Sequence, residues 1–187
     1  MSGRMEDYAY ILDWLPNGQP GGGFGRREPL IYALGDEEFK LFELVPKAGA
    51  QVHIGTRTYI GKDTAEAKRD VVDHVKRRIG YEELTNGAQN ELEYAVDEIV
   101  AANQERFIKF YNEAEAISLR KHMLEELPGL GKKMMNIIIE ERRKGPFKDF
   151  ADLSERTGIK TPEKFISARI VMEISDPDRK RYIFVSR

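Results

Sequence analysis

Several residue types and motifs are scarce or missing from this sequence. It contains no cysteine, so disulfide bonds and thiolate metal sites are excluded. Its three histidines, His53, His74 and His122, have none of the spacings that place two metal ligands on one helix face. No apolar run approaches the ~20 residues of a membrane-spanning helix, and the first residues lack the apolar centre of a signal peptide. We therefore expect a cytoplasmic protein that uses no metal or other cofactor and has no membrane partner.

Motifs for catalysis are also missing. No serine or threonine lies in a motif that would make it a nucleophile. The glycine-rich segment 16–27 lacks the Lys-Ser or Lys-Thr ending of a nucleotide-binding P-loop. Carboxylates are numerous, but their number alone identifies neither a general acid nor a two-metal site. The sequence therefore favours a binding protein without enzymatic activity.

Positive charge is unevenly distributed, although the whole chain carries a net charge of only -2. Residues 118–187 contain 16 Lys and Arg against 11 Asp and Glu, a balance of +5, whereas residues 1–117 have a balance of -7. A contact with a polyanion such as nucleic acid would therefore lie in the carboxy-terminal part of the chain, where the positive charge is. Because the net charge is negative, such a contact would be local and sensitive to salt.

The first sixty residues predict β structure. Five short β-prone runs are separated by turn signals, with no helical pattern between them. This arrangement predicts an α+β protein that begins with a small β-barrel of the OB or SH3-like kind over residues 1–62. The predicted strands lie at residues 8–14, 30–34, 39–45, 51–54 and 56–60.

One connection in this region is too long and glycine-rich for a simple hairpin turn. Residues 16–27 contain Phe24, Arg26 and Arg27 among several glycines. An aromatic ring can stack on a base and guanidinium groups can contact phosphates, so these three residues are candidates for binding a single strand. The alternative is a mobile surface loop without a ligand.

Helical patterns replace β structure after this region. Asp63 and Glu66 have the spacing of a capping box, which predicts a helix that continues to Gly80. Two further helices are predicted, one at about residues 86–102 and one around Phe107 that ends near Ala114. Together they predict a helical connector over residues 63–117.

The segment 126–133, Glu-Leu-Pro-Gly-Leu-Gly-Lys-Lys, lies between two helical patterns. The apolar spacing of residues 119–127 predicts a helix before the turn, and that of residues 134–141 predicts a helix after it. Gly129 and Gly131 would allow backbone conformations closed to other residues and a close approach to the main chain. The N–H groups of Gly129, Leu130, Gly131, Lys132 and Lys133, together with the two lysine side chains, therefore predict a phosphate site at a helix start.

This segment resembles the helix-hairpin-helix family of nucleic-acid-binding motifs. Gly145-Pro146-Phe147 follows the second helix as a connector does in similar modules, whereas Met135 replaces the usual alanine. A second, weaker copy follows, in which Lys160 stands where the second glycine is expected and a helix starts at Pro162, with Thr161 as its N-cap. The resemblance implies tandem hairpins over residues 118–175 that bind backbone phosphates without base specificity. Its second set of binding residues would be Gly158, Ile159, Lys160 and Thr161.

The whole chain also resembles an archaeal family, the domain of unknown function 655 family of predicted nucleic-acid-binding proteins. The resemblance includes residues 45–47 and 59–63 as well as the hairpin. It implies an OB-like barrel joined to helix-hairpin-helix motifs and an RNA or DNA ligand, with no assigned reaction.

Our interpretation is a nucleic-acid-binding protein whose hairpins hold phosphates and whose barrel supplies a second contact. One alternative is a nuclease or RNA-processing enzyme with a carboxylate metal site. Another is a protein-interaction module, which an exposed apolar patch over Ile137 and Ile138 would favour. We further expect residues 182–185, within a terminal segment 176–187, to form a strand that pairs with an edge of the barrel, because apolar backbone at the terminus needs hydrogen-bond partners.

Overall fold

The structure is a computed structural model that describes residues 5–19 and 28–186. The chain separates into two compact units. The first, called the sheet unit, runs up to Ala95 and resumes at Glu173, and the second, called the helical unit, is Val96–Met172.

The sheet unit contains five antiparallel strands in the order β4-β1-β2-β3-β5. The sheet curls into a half-barrel in which β4 and β5 are the outer strands. The mixed α+β class is therefore confirmed, whereas the described strands do not close into a complete barrel. The strands are β1 Tyr8–Leu15, β2 Leu30–Gly35, β3 Leu41–Pro46, β4 Arg57–Tyr59 and β5 Val72–Arg78.

Burial explains why β2 and β3 are inner strands. Their side chains are buried almost without interruption, so each strand needs a neighbour on both sides. Alternate residues of the sheet form one apolar cluster, against which Trp14 and Val52 pack. Its buried members are Ala9, Ile11, Ile31, Ala33, Phe42, Leu44, Ile60 and Val72.

Two predictions in the sheet unit are wrong. The helix from Asp63 to Gly80 does not form, because the Asp63 carboxylate accepts a hydrogen bond from the Arg69 backbone at 2.7 Å within an irregular turn. Val72 then begins β5, where β-branched valines suit a strand and where β3 gains the partner it needs. Residues 51–53 have no regular secondary structure and lead into a turn at Ile54 and Gly55, so the strand predicted at residues 51–54 does not form.

Side-chain caps determine where two of the helices begin. Thr85 Oγ accepts a hydrogen bond from the Ala88 N–H at 3.0 Å at the start of α1, and the Asp149 carboxylate accepts one from Asp152 at 2.7 Å at the start of α4. Helices predicted near residues 86–102 and around Phe107 are confirmed. No helix in the described parts of the chain is long and apolar enough to cross a membrane. The helices are α1 Asn86–Ala102, α2 Gln104–Glu113, α3 Lys132–Arg143, α4 Phe150–Thr157 and α5 Pro162–Ser175, with short 3-10 helices at Tyr81–Glu83 and Met123–Glu126.

The predicted helix before the first hairpin is only partly formed. The structure has the single 3-10 helix Met123–Glu126 there, and Leu119 lies in a loop, fully exposed to solvent. The apolar spacing of residues 119–127 therefore does not mark one helical face. The first hairpin joins a 3-10 helix to an α-helix.

Residues 182–185 do not form the predicted terminal strand. Three of their four N–H groups are satisfied by Glu173, a buried carboxylate near the end of α5, and Ser186 donates a backbone hydrogen bond to the Glu38 carbonyl at 3.2 Å. One carboxylate oxygen thus replaces the strand partner that this backbone requires. The three bonds to Glu173 Oε1, at 2.8, 3.0 and 3.1 Å, come from Ile183, Phe184 and Val185.

Candidate functional site

The first hairpin, Leu127–Gly131, is a tight connection anchored by two leucines. Leu127 and Leu130 are buried, and the Leu130 N–H donates to the Leu127 carbonyl at 3.2 Å. Gly129 has a φ of 85°, and a Cβ there would lie 3.3 Å from the ring of Phe165. The positive φ and the close contact with the Phe165 ring therefore both require glycine at this position.

Gly131 stands in a different position. It is the N-cap of α3, with φ -78° and ψ 170°, a region open to every residue type. A Cβ at Gly131 would meet no atom within 4 Å. The expectation that Gly131 needs a special backbone conformation is therefore wrong. Its missing side chain leaves open space in front of the first turn of α3, where a ligand can approach the backbone.

The start of α3 lacks the groups that usually stabilise a helix N-terminus. Gly131 provides no side-chain cap, and the first turn contains no acidic residue. The first N–H groups of a helix have no acceptor within it, and the Met135 N–H is the one that reaches the Gly131 carbonyl, at 3.0 Å. Lys132 and Lys133 are both exposed in this turn. Backbone donors, the positive end of the helix dipole and two ammonium groups therefore form one surface suited to an anion.

A buried ion pair holds the chain immediately before this hairpin. Arg169 on α5 is 1% exposed and donates to the carboxylate and the main-chain carbonyl of Glu126, at 2.9 and 3.1 Å. Lys121 contacts the other carboxylate oxygen at 2.8 Å, and it is the main reason that the pKa of Glu126 is lowered. Sequence reasoning missed Arg169. The available signal was a charged residue on the same helical face as the apolar Ile166 and Ile170.

The other end of α3 is held by a second arginine. Arg156 donates to the carbonyls of Glu141 and Gly145 at 2.6 and 2.8 Å, and its guanidinium carbon lies 4.5 Å from the centre of the Phe147 ring. Asn112 exchanges two hydrogen bonds with the Phe147 backbone, at 2.8 and 2.9 Å. The Gly-Pro-Phe connector is therefore fixed to α2 and α4, which gives α3 a defined direction.

The second hairpin, between α4 and α5, uses its glycine to end a helix. Gly158 has a φ of 80° and donates its N–H to the Ser154 carbonyl at 2.8 Å. The buried Ile159 donates its N–H to Thr157 Oγ1 at 3.2 Å. The predicted role of the Ile159 N–H in binding phosphate is therefore not supported, because this donor already has an acceptor.

Fewer backbone donors remain in front of α5 than in front of α3. Lys160 and Thr161 are exposed immediately before the helix. The first helical residue, Pro162, has no N–H, and Glu163 places a negative charge in the first turn. The second hairpin therefore offers an anion fewer backbone donors than the first.

The loop residues predicted to bind a single strand, Phe24, Arg26 and Arg27, lie outside the described residues, so their role stays a prediction.

The sheet unit carries another aromatic and basic group that sequence reasoning missed. Arg57 on β4 lies over the Tyr8 ring, with its guanidinium carbon 3.6 Å from the ring centre, and the Tyr8 and Tyr59 rings meet edge to face at 5.2 Å. The signal was available in the alternation of Arg57 and Tyr59 on a short strand.

The histidines have separate surroundings. His122 caps the 3-10 helix by accepting a hydrogen bond from the Leu124 N–H at 3.0 Å. Burial, with a smaller effect of Arg142, lowers the pKa of His122. His74 contacts the neighbouring Asp73 at 2.7 Å. Within residues 5–19 and 28–186, no group of three or more histidine or carboxylate side chains is arranged to hold a metal ion.

Comparison with known proteins finds the same sequence pattern along nearly the whole chain. The family model described as "Protein of unknown function (DUF655)" matches residues 5–186. Uncharacterized protein MJ0038 of Methanocaldococcus jannaschii is 44% identical over 183 residues, which cover 97% of this chain and 81% of that protein. The crystal structure of Af1531 from Archaeoglobus fulgidus, titled with the same family model, is similar to this chain with a TM-score of 0.87 and 44% identity, covering 97% of this chain and 100% of that chain.

Proposed function

The chain belongs to the DUF655 family, and we propose that it binds the phosphate backbone of RNA or DNA without base specificity. The observation that carries this proposal is the start of α3. An uncapped helix N-terminus, the open space in front of Gly131 and the exposed Lys132 and Lys133 lie together there. Backbone N–H groups and lysines recognise phosphate oxygens, which carry no sequence information.

The second hairpin provides a smaller part of the proposed contact with phosphates. The exposed Lys160 and Thr161 of the second hairpin add one positive charge and two backbone N–H groups, with Gly158 and Ile159 shaping the turn. The positive balance of residues 118–187 supports this placement, since the remainder of the chain is negative.

The OB-like half-barrel would supply the second contact, to a single strand. Tyr8 and Tyr59 provide aromatic rings, which can stack on unpaired bases, whereas Arg57 covers one face of Tyr8 and already donates to the Asp36 carboxylate at 2.8 Å. Phe24, Arg26 and Arg27 belong to the same proposal through their residue types alone.

Neither alternative function has an observation in its favour. For a nuclease with a carboxylate metal site, the described residues contain no group of three or more histidine or carboxylate side chains that could hold a metal ion. A protein-interaction surface over Ile137 and Ile138 would need both side chains exposed, but Ile138 is completely buried and Ile137 is partly buried. Lys132 and Lys133 are exposed at the start of α3, together with Met134, which is 36% exposed.

Salt-dependent titration tests the proposal directly. With three to five phosphates neutralised, the slope of log affinity against log salt should be about -2 to -5 for labelled single strands or duplexes. Replacing both lysines, Lys132→Ala with Lys133→Ala, should reduce the magnitude of the slope by about 2 and weaken binding on the order of 100-fold at low salt.

The matched control removes the same charge at the other end of α3. Lys144 lies just beyond the last turn, about 18 Å from Lys132 by the length of a twelve-residue helix, and Lys148 follows in the connector, so the control is Lys144→Ala with Lys148→Ala. This pair should change affinity far less. The proposal fails if the parent binds no nucleic acid even at low salt, or if both pairs of substitutions weaken binding equally.

A further inference from the structure

The connection between α2 and the 3-10 helix, residues 115–123, forms a small two-stranded hairpin that we call the Leu119 loop. Ala116 and His122 form an antiparallel bridge at its base. The Met123 N–H donates to the Glu115 carbonyl at 2.9 Å, closing the loop. Backbone hydrogen bonds between its two ends therefore close the loop at its base.

The tip of this loop has a defined conformation. The N–H groups of Ile117 and Ser118 donate to the Lys121 carbonyl at 2.8 and 3.0 Å. Ser118 Oγ accepts hydrogen bonds from the N–H groups of Arg120 and Lys121, at 3.3 and 3.2 Å. Leu119 projects from this tip with a relative exposure of 107%, so its side chain contacts nothing that shields it from solvent.

Neither packing nor turn chemistry explains a leucine at this position. Turns of this kind favour Gly, Asn, Asp or Ser, and Leu119 buries no surface within the chain. Single exposed apolar residues are common on proteins. Leu119 differs from most of them because a hydrogen-bonded tip holds it outward and because two basic residues, Arg120 and Lys121, follow it directly.

The Leu119 loop is joined to the phosphate-binding surface by ion pairs and hydrogen bonds. Lys121 contacts Glu126 at 2.8 Å, and Arg169 holds the same carboxylate. The His122 N–H donates to Glu125 at 2.7 Å. The tip and the start of α3 therefore belong to one connected framework inside the helical unit, separated by the four-residue 3-10 helix and the first hairpin.

We infer that the Leu119 loop is a wedge, which inserts Leu119 between two stacked base pairs of a duplex while the start of α3 holds a backbone phosphate. This inference rests on the proposed function and narrows its ligand to a duplex that is distorted on binding. Apolar side chains that enter a base step bury their surface and unstack the step, and flanking cations offset the cost through phosphate contacts. The exposed Arg120, next to Leu119, would make such a contact, while Lys121 holds Glu126 at 2.8 Å and so supports the loop.

The test uses duplex DNA and duplex RNA that carry 2-aminopurine at a central pyrimidine–purine step, the most easily unstacked kind. 2-Aminopurine fluorescence rises when the base leaves the stack. The full-length parent should raise this fluorescence in the duplex it binds. Leu119→Ala should lose most of the rise and bind that duplex about tenfold more weakly, because three carbons no longer become buried. Its affinity for a single strand should be unchanged.

Two variants complete the design. Leu119→Met keeps an apolar side chain of similar size and should retain both the fluorescence rise and the affinity. Ile54→Ala removes another exposed aliphatic side chain, 51% exposed in the sheet unit, and should behave like the parent. Thermal melting should be the same for all these proteins, since Leu119 is fully exposed.

The possible failures are distinguishable. If the parent binds duplex with the expected salt dependence and Leu119→Ala matches it in fluorescence and affinity, the wedge is refuted and the phosphate site stands. The wedge is also refuted if the parent binds only single strands. If the parent binds neither form at low salt, the proposed function and the wedge fail together.

Discussion

The two hairpins of the helical unit have similar sequences but different structural roles. In the first, Gly131 adopts an ordinary conformation beside open space, and α3 starts with two exposed lysines. In the second, Gly158 adopts a left-handed conformation to end α4, and the next N–H is already hydrogen-bonded. The backbone conformation requires a glycine at Gly158, so that residue says little about a ligand. The fold does not require a glycine at Gly131, so the missing side chain there is better evidence for a ligand.

The two hairpins also differ in what holds them. The fully buried Arg169 contacts the residue just before the first hairpin. Near the second, Lys164 forms an exposed ion pair with Asp97 at 2.7 Å. A buried charge pair fixes geometry strongly once formed, while an exposed pair contributes little. The buried Tyr111 hydroxyl also donates to the Pro162 carbonyl beside the second hairpin, so the fold holds both hairpins but uses a buried ion pair at the first.

The largest effect should follow from removing Arg169, the buried residue that supports the first hairpin. Arg169→Met leaves Glu126 without its buried partner and should lower the free energy of unfolding by about 3 kcal/mol. Urea denaturation followed by circular dichroism measures this loss. Lys164→Met is the matched change at the second hairpin and should cost less than about 1 kcal/mol.

A double variant separates charge burial from packing. Adding Glu126→Leu to Arg169→Met should recover part of the lost stability, because no uncompensated carboxylate remains. Equal losses for Arg169→Met and Lys164→Met would remove the distinction between the supports of the two hairpins.

An intermediate effect should distinguish the two glycines. Gly131→Ala should change stability by less than about 0.5 kcal/mol, because a weaker N-cap is offset by lower unfolded-state entropy, yet weaken nucleic-acid binding roughly tenfold. Gly158→Ala should lower stability by about 1 kcal/mol through its positive φ, with the affinity of the folded protein within about twofold of the parent. Denaturation and titration at fixed salt measure both quantities. The opposite pattern would make the second hairpin the ligand site.

The smallest effect concerns pH and the cap before the first hairpin. His122 accepts the Leu124 N–H only when it is unprotonated on that nitrogen, and its folded-state pKa is lowered. The unfolded chain therefore binds the proton more readily, so stability is fully present above the unfolded pKa of ~6.5 and is lost as pH falls through the folded pKa. His122→Asn keeps an acceptor that does not titrate.

Melting at about pH 7.5 and about pH 5.5, on either side of the unfolded-state value, should show a loss in the parent that exceeds that in His122→Asn by about 0.5 kcal/mol. Other groups, including Glu126, titrate in both proteins and cancel in the difference. Identical pH dependence in the two proteins would show that the His122 cap does not titrate in this range.

Most of the sheet and of the helices could be predicted from local patterns, and the errors have physical causes. The valines at residues 71, 72 and 75 fit a helix and a strand equally, and β3, far away in sequence, decides between them. The terminal apolar run appeared to require a strand partner, but Glu173 satisfies its backbone instead. Local pattern cannot show either long-range partner.

The candidate site was only partly visible in the sequence for the same reason. The start of α3 at Lys132 and the exposure of both lysines follow from turn and helix signals. The roles of Arg169 and Leu119 do not, because one depends on a contact with a distant carboxylate and the other on a loop that replaces a helical pattern. The local prediction was therefore good for backbone and poor for side-chain partners.

The open sheet has a consequence for self-association. An outer strand presents unpaired N–H and C=O groups to which a second copy could add its own strand, as happens in aggregation. β4 is only three residues long, and β5 carries Lys76, Arg77 and Arg78 as exposed residues on the other edge. A very short edge strand offers few hydrogen bonds to a second copy, and charged side chains along an edge strand disfavour pairing with another strand. The protein can therefore keep its half-barrel open without polymerising through it.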